Sequence, residues 1–200
     1  MAMAPAQKHR EKLVAAASAL FRTQGYAATG LAEILAESGA PKGSLYHYFP
    51  AGKEAIGEAA LRLAVEKDGA AIGAMIMQAP DPATMLRTYA GYMAEEMQAS
   101  GFIAGCPIAT IALEAAPRSA RLTAASCEAF NLWAHALAFG LQRAGFAAPR
   151  AAELADFIIA SFEGALILTR VRQDTAPLRR AGEELARLVE TELKAIRSVQ

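Results

Sequence analysis

The sequence predicts an all-α fold, on three observations. Apolar residues recur at three- and four-residue spacing in one segment after another. Glycines and prolines such as Gly25, Gly39, Pro50, Pro117, Gly145 and Pro177 stand where those segments stop. The β-branched residues never alternate over six positions, so no strand pattern competes. A chain of 200 residues that is 54% apolar can bury a sizeable core.

Taken in order, residues 1–6 read as a disordered lead. From Gln7 to Gln24, Leu13, Ala16, Ala17, Leu20 and Phe21 form a helical stripe, and Gly25 stops it. A connector through Tyr26 ends at Thr29. Thr29 or Gly30 caps a helix over Leu31–Glu37, with Glu33 near its first turn. Gly39 suits a tight turn, and Pro41 a helix start, where its missing N–H has no helical partner anyway. Leu45 and Tyr48 or Phe49 anchor that next helix. Gly43 is odd inside it, at about 1 kcal/mol relative to Ala.

After Pro50-Ala51-Gly52, a long helix runs from Lys53 to Met77, with Ile56, Ala60, Leu63 and Lys67 on one face. Asp81-Pro82 opens another, striped by Met85, Leu86, Tyr89, Met93 and Met97 and ending near Gly101. Phe102 to Ala116 reads as a turn feeding a short helix that Pro117 ends. Three long helices complete the chain, over Ser119–Ala144, Pro149–Arg172 and from Pro177 to Arg197.

The formal net charge is zero, but it is unevenly spread. Residues 1–53 hold six Lys/Arg against three Asp/Glu, and the remainder 14 against 17. The mild basic excess points any nucleic-acid contact to the first quarter. Cys106 and Cys127 make no disulfide framework and fit a reducing compartment. No signal peptide is visible, and no apolar run is long enough to span a bilayer, so the expectation is a cytoplasmic protein without a membrane partner.

The two short helices around Ser38-Gly39-Ala40 have the pattern of a helix-turn-helix reader of the DNA major groove. The plain alternative is the end of a generic helical bundle. As a reader, the second helix offers Lys42, Ser44 and Tyr46 to base edges. Phosphate contacts come from Lys42, Tyr46, His47 and Lys53, with Thr29 a further backbone contact. Gly43 allows a helix start to approach a phosphate. Lys53 sits at a helix N-terminus, which the dipole disfavours and a phosphate offsets.

In the middle helices Met93, Met97, Phe102, Cys106, Phe130, Trp133, His135 and Phe139 form a soft aromatic group. Each alone also reads as ordinary core. Together they outline an apolar cavity for an apolar or aromatic molecule, with Asn131, His135, Glu128 and Gln142 as polar anchors. Turnover has little support. His9, His47 and His135 lie on different helices, no nucleophile elbow or phosphate loop occurs, and no clustered ligands suggest a metal or cofactor. A helical carrier or enzyme using the same pocket stays open as an alternative.

One resemblance is carried by specific residues. Gly25-Tyr26 and Thr29, then the run from Ile34 to Gly39, then Lys42 to Phe49, then Lys53-Glu54 resemble the TetR family of bacterial transcriptional repressors over residues 7–60. Pro50-Ala51-Gly52 departs from it, where a polar residue usually precedes the lysine. The run Gly105 to Ala109 with Glu114 resembles the C-terminal domain of the LmrA/YxaF-like branch. The resemblance implies about nine helices, with a three-helix DNA-binding domain over 1–52 and a helical effector-binding and dimerisation domain over 53–200. It also implies a homodimer on double-stranded DNA and a small-molecule effector that weakens operator binding. An activator lacking a ligand is the other regulatory possibility.

The last two long helices are the family's dimerisation pair. Phe157, Ser161, Ala165 and Leu168 form one stripe here, and Leu185, Leu188 and Ile196 nearly another. Both suit a four-helix bundle across a twofold axis, or else plain internal core.

Overall fold

A computed structural model describes the backbone of residues 5–198, and side chains from Lys8 onward. Among these residues the chain forms nine α-helices and no strands: α1 Pro5–Gln24, α2 Leu31–Ser38, α3 Lys42–Tyr48, α4 Lys53–Gln78, α5 Pro82–Ala99, α6 Pro107–Glu114, α7 Ala120–Ala144, α8 Ala148–Arg172 and α9 Ala176–Ser198. A single 3-10 turn, Ala116–Arg118, joins α6 to α7. The expected lead over residues 1–6 overlaps the first helix. Pro5 and Ala6 already belong to α1, and residues 1–4 lie outside the described part. Other helix ends fall within a residue or two of their sequence signals.

The chain packs as two compact units. The first comprises the residues up to Lys67 together with Cys106–Phe130. The second comprises Asp68–Gly105 together with the residues from Asn131 on. α4 and α7 each contribute to both.

In the first unit, α1 packs on α2, α3 and α6. Leu13, Ala17 and Phe21 of α1 are buried, as are Tyr26, Ile34, Leu45, Phe49, Ile56, Ile108, Ile111 and Leu122 of the same unit. Phe21 and Tyr26 lie with ring centroids 5.1 Å apart. α2 starts at Gly30, whose N–H donates to the Glu33 carboxylate at 3.4 Å. That is the acidic half of a capping box; Gly30 has no side chain for the other half. α2 ends because Gly39 adopts φ 60, the left-handed cap that glycine reaches without a Cβ clash. Ser38 Oγ then accepts the Ala40 N–H at 3.2 Å and guides the chain into α3.

In the second unit, α5 packs along α9, and α8 packs against both. Arg87 forks onto Glu183, with Nε–Oε2 at 2.8 Å, while its Nη1 reaches Glu190 Oε1 at 2.7 Å. These paired groups are well exposed, so they fix register more than they add stability. α5 has a complete N-cap. Asp81 accepts from Thr84 N at 2.8 Å and from Thr84 Oγ1 at 2.8 Å. The Thr84 N–H is the main reason the Asp81 carboxyl is held below its ordinary value of 3.8. A depressed carboxylate contributes stability above its unfolded pKa and loses it as pH falls through the folded one. Asp81→Ala is therefore expected to destabilise by about 1 kcal/mol at neutral pH. The difference from wild type should shrink in urea titrations run below the ordinary value of 3.8.

Candidate functional site

The geometry of α3 follows from its two anchors. Leu45 is fully buried and Phe49 nearly so, which turns the rest of the helix outward. Lys42, Gly43, Tyr46 and His47 are exposed, and Ser44 and Tyr48 are half-buried. Tyr46 is 57% exposed, a large aromatic side chain that the fold does not cover. The His47 ring stands edge-on to Tyr48 at 4.8 Å. A Cβ built on Gly43 meets nothing within 4 Å. The protein itself does not require glycine there, which leaves the helix start open to an external group. The outward residues are a cation, two hydrogen-bonding rings and a bare helix start, suited to phosphates and base edges.

One residue proposed for this surface is buried, and another already has a partner within the chain. Thr29 is 1% exposed. Its hydroxyl donates to the Gly25 carbonyl at 2.7 Å and accepts from Gln24 Nε2 at 3.3 Å. It closes the α1–α2 turn from inside and has no face for a phosphate. Lys53 does not need a phosphate to offset the α4 dipole. Its Nζ donates to the Ala27 carbonyl at 3.1 Å and lies 4.5 Å from the Tyr26 ring centroid. Burial lowers its pKa, and the charge of Glu114 partly restores it.

The second unit holds two neighbouring cavities. One, of about 110 Å³, lies among Ile76, Pro80, Asp81, Leu141 and Arg143. The other, of about 30 Å³, lies among Ile72, Tyr89, Met93, Trp133, Phe162 and Glu163. Met85, Leu137 and Ile158 line both and so form the partition. Of the expected effector residues, Met93 and Trp133 line the smaller cavity. The others lie elsewhere. Met97 is buried away from both cavities, and Phe102 sits half-buried in the turn after α5 at φ 63. Cys106 caps α6, accepting from Ala109 N at 3.5 Å, and belongs with Phe130 to the first unit. Asn131, His135 and Phe139 face outward. Helix phase carried the missing signal. His135 is two residues from Trp133, about 200° around α7, and cannot share its face.

α8 presents an uncovered stripe. Phe157, Ile167, Leu168 and Val171 are exposed large apolar residues, and Ala160 and Gly164 lie exposed between them. Of the expected dimer residues, Phe157 and Leu168 fall on this face, while Ser161, Leu188 and Ile196 are half-buried. Ala165 and Leu185 are buried within the chain and do not belong to this face. Among the described residues, no helix is long and apolar enough to cross a membrane.

Comparison with known proteins bears on this arrangement. Residues 13–60 match the model of the bacterial regulatory proteins of the tetR family. Residues 82–184 match that of the LmrA/YxaF-like transcriptional regulator C-terminal domain. The HTH-type transcriptional regulator YxaF of Bacillus subtilis is 37% identical over 184 residues, covering 90% of this chain and 94% of that protein. An HTH-type transcriptional regulator of Mycobacterium tuberculosis is 35% identical over 192 residues, covering 94% of this chain and 97% of its own. The regulatory protein TetR from Rhodobacter sphaeroides superposes with a TM-score of 0.79 at 23% identity, over 88% of this chain and 96% of its own. With an outward-facing helix after a glycine turn at one end and an LmrA/YxaF-like helical body after it, the chain belongs to the TetR family of bacterial transcriptional regulators.

Proposed function

We propose that this DNA-binding regulator is a repressor that binds a palindromic operator as a homodimer and is released by a small apolar or aromatic molecule. In this reading residues 1–52 bind DNA, residues 53–200 bind effector and dimerise, and the protein works in the cytoplasm. The observation that carries it is the outward face of α3, where Lys42, Gly43, Ser44, Tyr46 and His47 lie around the buried Leu45. Two such faces about one helical turn apart, roughly 34–36 Å, match a palindrome.

The α8 stripe supports the dimer. A Cβ on Gly164 meets nothing within 4 Å, so the gap there is free for a partner's side chain. Gly164→Glu puts a charge into the middle of that stripe without disturbing the protomer. It is expected to yield a folded monomer with native helical content and operator affinity at least tenfold lower. Sedimentation velocity and fluorescence anisotropy check this, and a Gly164→Glu protein that stays dimeric would count against α8.

The effector reading rests on the paired cavities. Drug-sized sites usually span about 300–1,000 Å³, so both must open for a ligand to enter. Met85 is the flexible element of the partition. A ligand that binds only the opened body shifts the population away from the DNA-competent form. Planar aromatic molecules should therefore release wild-type protein from its operator, while Met85→Trp, which fills the space, should resist release. In a reporter strain, deletion of the gene should raise operator-driven transcription; a fall would mark an activator instead.

A further inference from the structure

Glu114 lies within the stretch that matches the LmrA/YxaF-like C-terminal domain, yet neither the groove-facing helix nor the cavities use it. Glu114 ends α6, and its Oε2 accepts the Ala27 N–H at 2.5 Å across 87 residues of chain. Ala27 lies in the turn between α1 and α2. Its carbonyl accepts from Lys53 Nζ of α4 at 3.1 Å. One residue of the turn is thus held at its donor by an anion and at its acceptor by a cation, each a charge-assisted hydrogen bond.

The neighbouring residues are shaped to this clamp. Gly25 sits at φ +96, and a Cβ there would stand 2.7 Å from Glu114 Oε1. The carboxylate therefore lies directly against the Gly25 backbone. Thr29 then ties the far end of the turn back to the Gly25 carbonyl. The next residue, Gly30, opens α2, and α3 follows α2 through the fixed cap at Gly39. The direction of both reader helices therefore depends on where the Gly25–Thr29 turn is held. α6 is also the next helix in the chain after α5, whose Met85 lines both cavities.

We propose that Glu114 is a positioning residue for DNA binding: with Lys53 it clamps the Ala27 peptide and so sets the pose of α2 and α3 from α6. The inference rests on the DNA-binding reading of α3. It assigns a role to the Glu114 carboxylate, which touches neither DNA nor effector in that reading.

The test compares full-length wild type with Glu114→Ala and Glu114→Gln, using a duplex enriched by in vitro selection on the wild type. Amide exchange at Ala27 is followed in the free proteins. Glu114→Ala is expected to speed Ala27 exchange at least tenfold and to weaken duplex binding about tenfold. The salt dependence should keep its slope, because no phosphate contact is removed. Glu114→Gln keeps an oxygen acceptor for the Ala27 N–H and should recover most of both losses. Glu114→Ala with exchange and affinity within twofold of wild type overturns the inference alone. So does a Gln variant as impaired as the Ala variant. A wild type that enriches no duplex overturns the DNA-binding reading, and this inference with it.

Discussion

Tyr46→Ala is expected to lower operator affinity about 100-fold while leaving the fold intact. The two halves of that expectation have separate causes. Tyr46 is 57% exposed, so its removal opens no cavity and should shift stability by no more than about 0.5 kcal/mol. In the proposed reading the same ring supplies a base-edge or phosphate contact on DNA, worth about 1–3 kcal/mol. In a dimer the loss is counted twice, and each 1.4 kcal/mol is about a factor of ten. Leu45 is the internal control. It is fully buried, so Leu45→Ala should cost about 2–5 kcal/mol of stability and lose DNA binding through unfolding of the reader. Anisotropy titrations paired with thermal melts separate the two phenotypes. Tyr46→Phe then divides the hydroxyl from the ring. Full-strength binding by folded Tyr46→Ala would remove α3 from the groove.

The contrast between residues 45 and 46 is legible in the sequence, because turn chemistry and helix phase are local. Gly39 needs a positive φ, and a seven-residue helix anchored by Leu45 and Phe49 has only one outward face. The burial of Thr29 is hidden in the sequence for the opposite reason. A small polar residue in a connector looks exposed, and only its bond to the Gly25 carbonyl under a packed turn makes it internal. Lys53 is similar. The dipole argument about its position is sound, but the missing partner is a carbonyl 26 residues earlier in the chain.

The expected effector and dimer residues divide by helix phase. Aromatic and sulfur-bearing residues cluster along the middle helices by composition, but Phe139 and His135 lie on another side of α7 from Trp133. Tyr89, Phe162 and Ile158 line the smaller cavity instead, on helices whose phases already pointed them inward. On α8, Ala165 keeps step with the buried Leu154, Ile158 and Phe162. The outward stripe runs through Phe157, Gly164, Leu168 and Val171. Composition names the chemistry of a cavity or an interface; the 100° step of the helix decides which residues share it.

Gly182→Val should be the most damaging single change in the body, at 3 kcal/mol or roughly more. Gly182 lies buried in α9 where that helix crosses α5. A Cβ at this position would stand 2.3 Å from the Ala90 Cβ and 3.2 Å from the Leu86 carbonyl oxygen. Neither neighbour is the far end of a flexible side chain, so the clash can be relieved only by moving one helix. Moving α9 also stretches the Arg87–Glu183 fork one residue away, now at 2.8 Å. Gly182→Ala is the sharper test because two effects oppose each other. Alanine gains about 1 kcal/mol of helix propensity over glycine, and overpacking costs about 1–3 kcal/mol. A distance of 2.3 Å is deep in the repulsive wall, so the clash should win and the urea midpoint should fall with little change in slope. Adding Ala90→Gly removes the opposing methyl group and should recover much of the loss, a coupling that a double-mutant cycle at fixed protein concentration measures directly. If Gly182→Ala proves as stable as wild type, α5 and α9 have more freedom than their closeness implies, and the glycine is there for some reason other than the crossing.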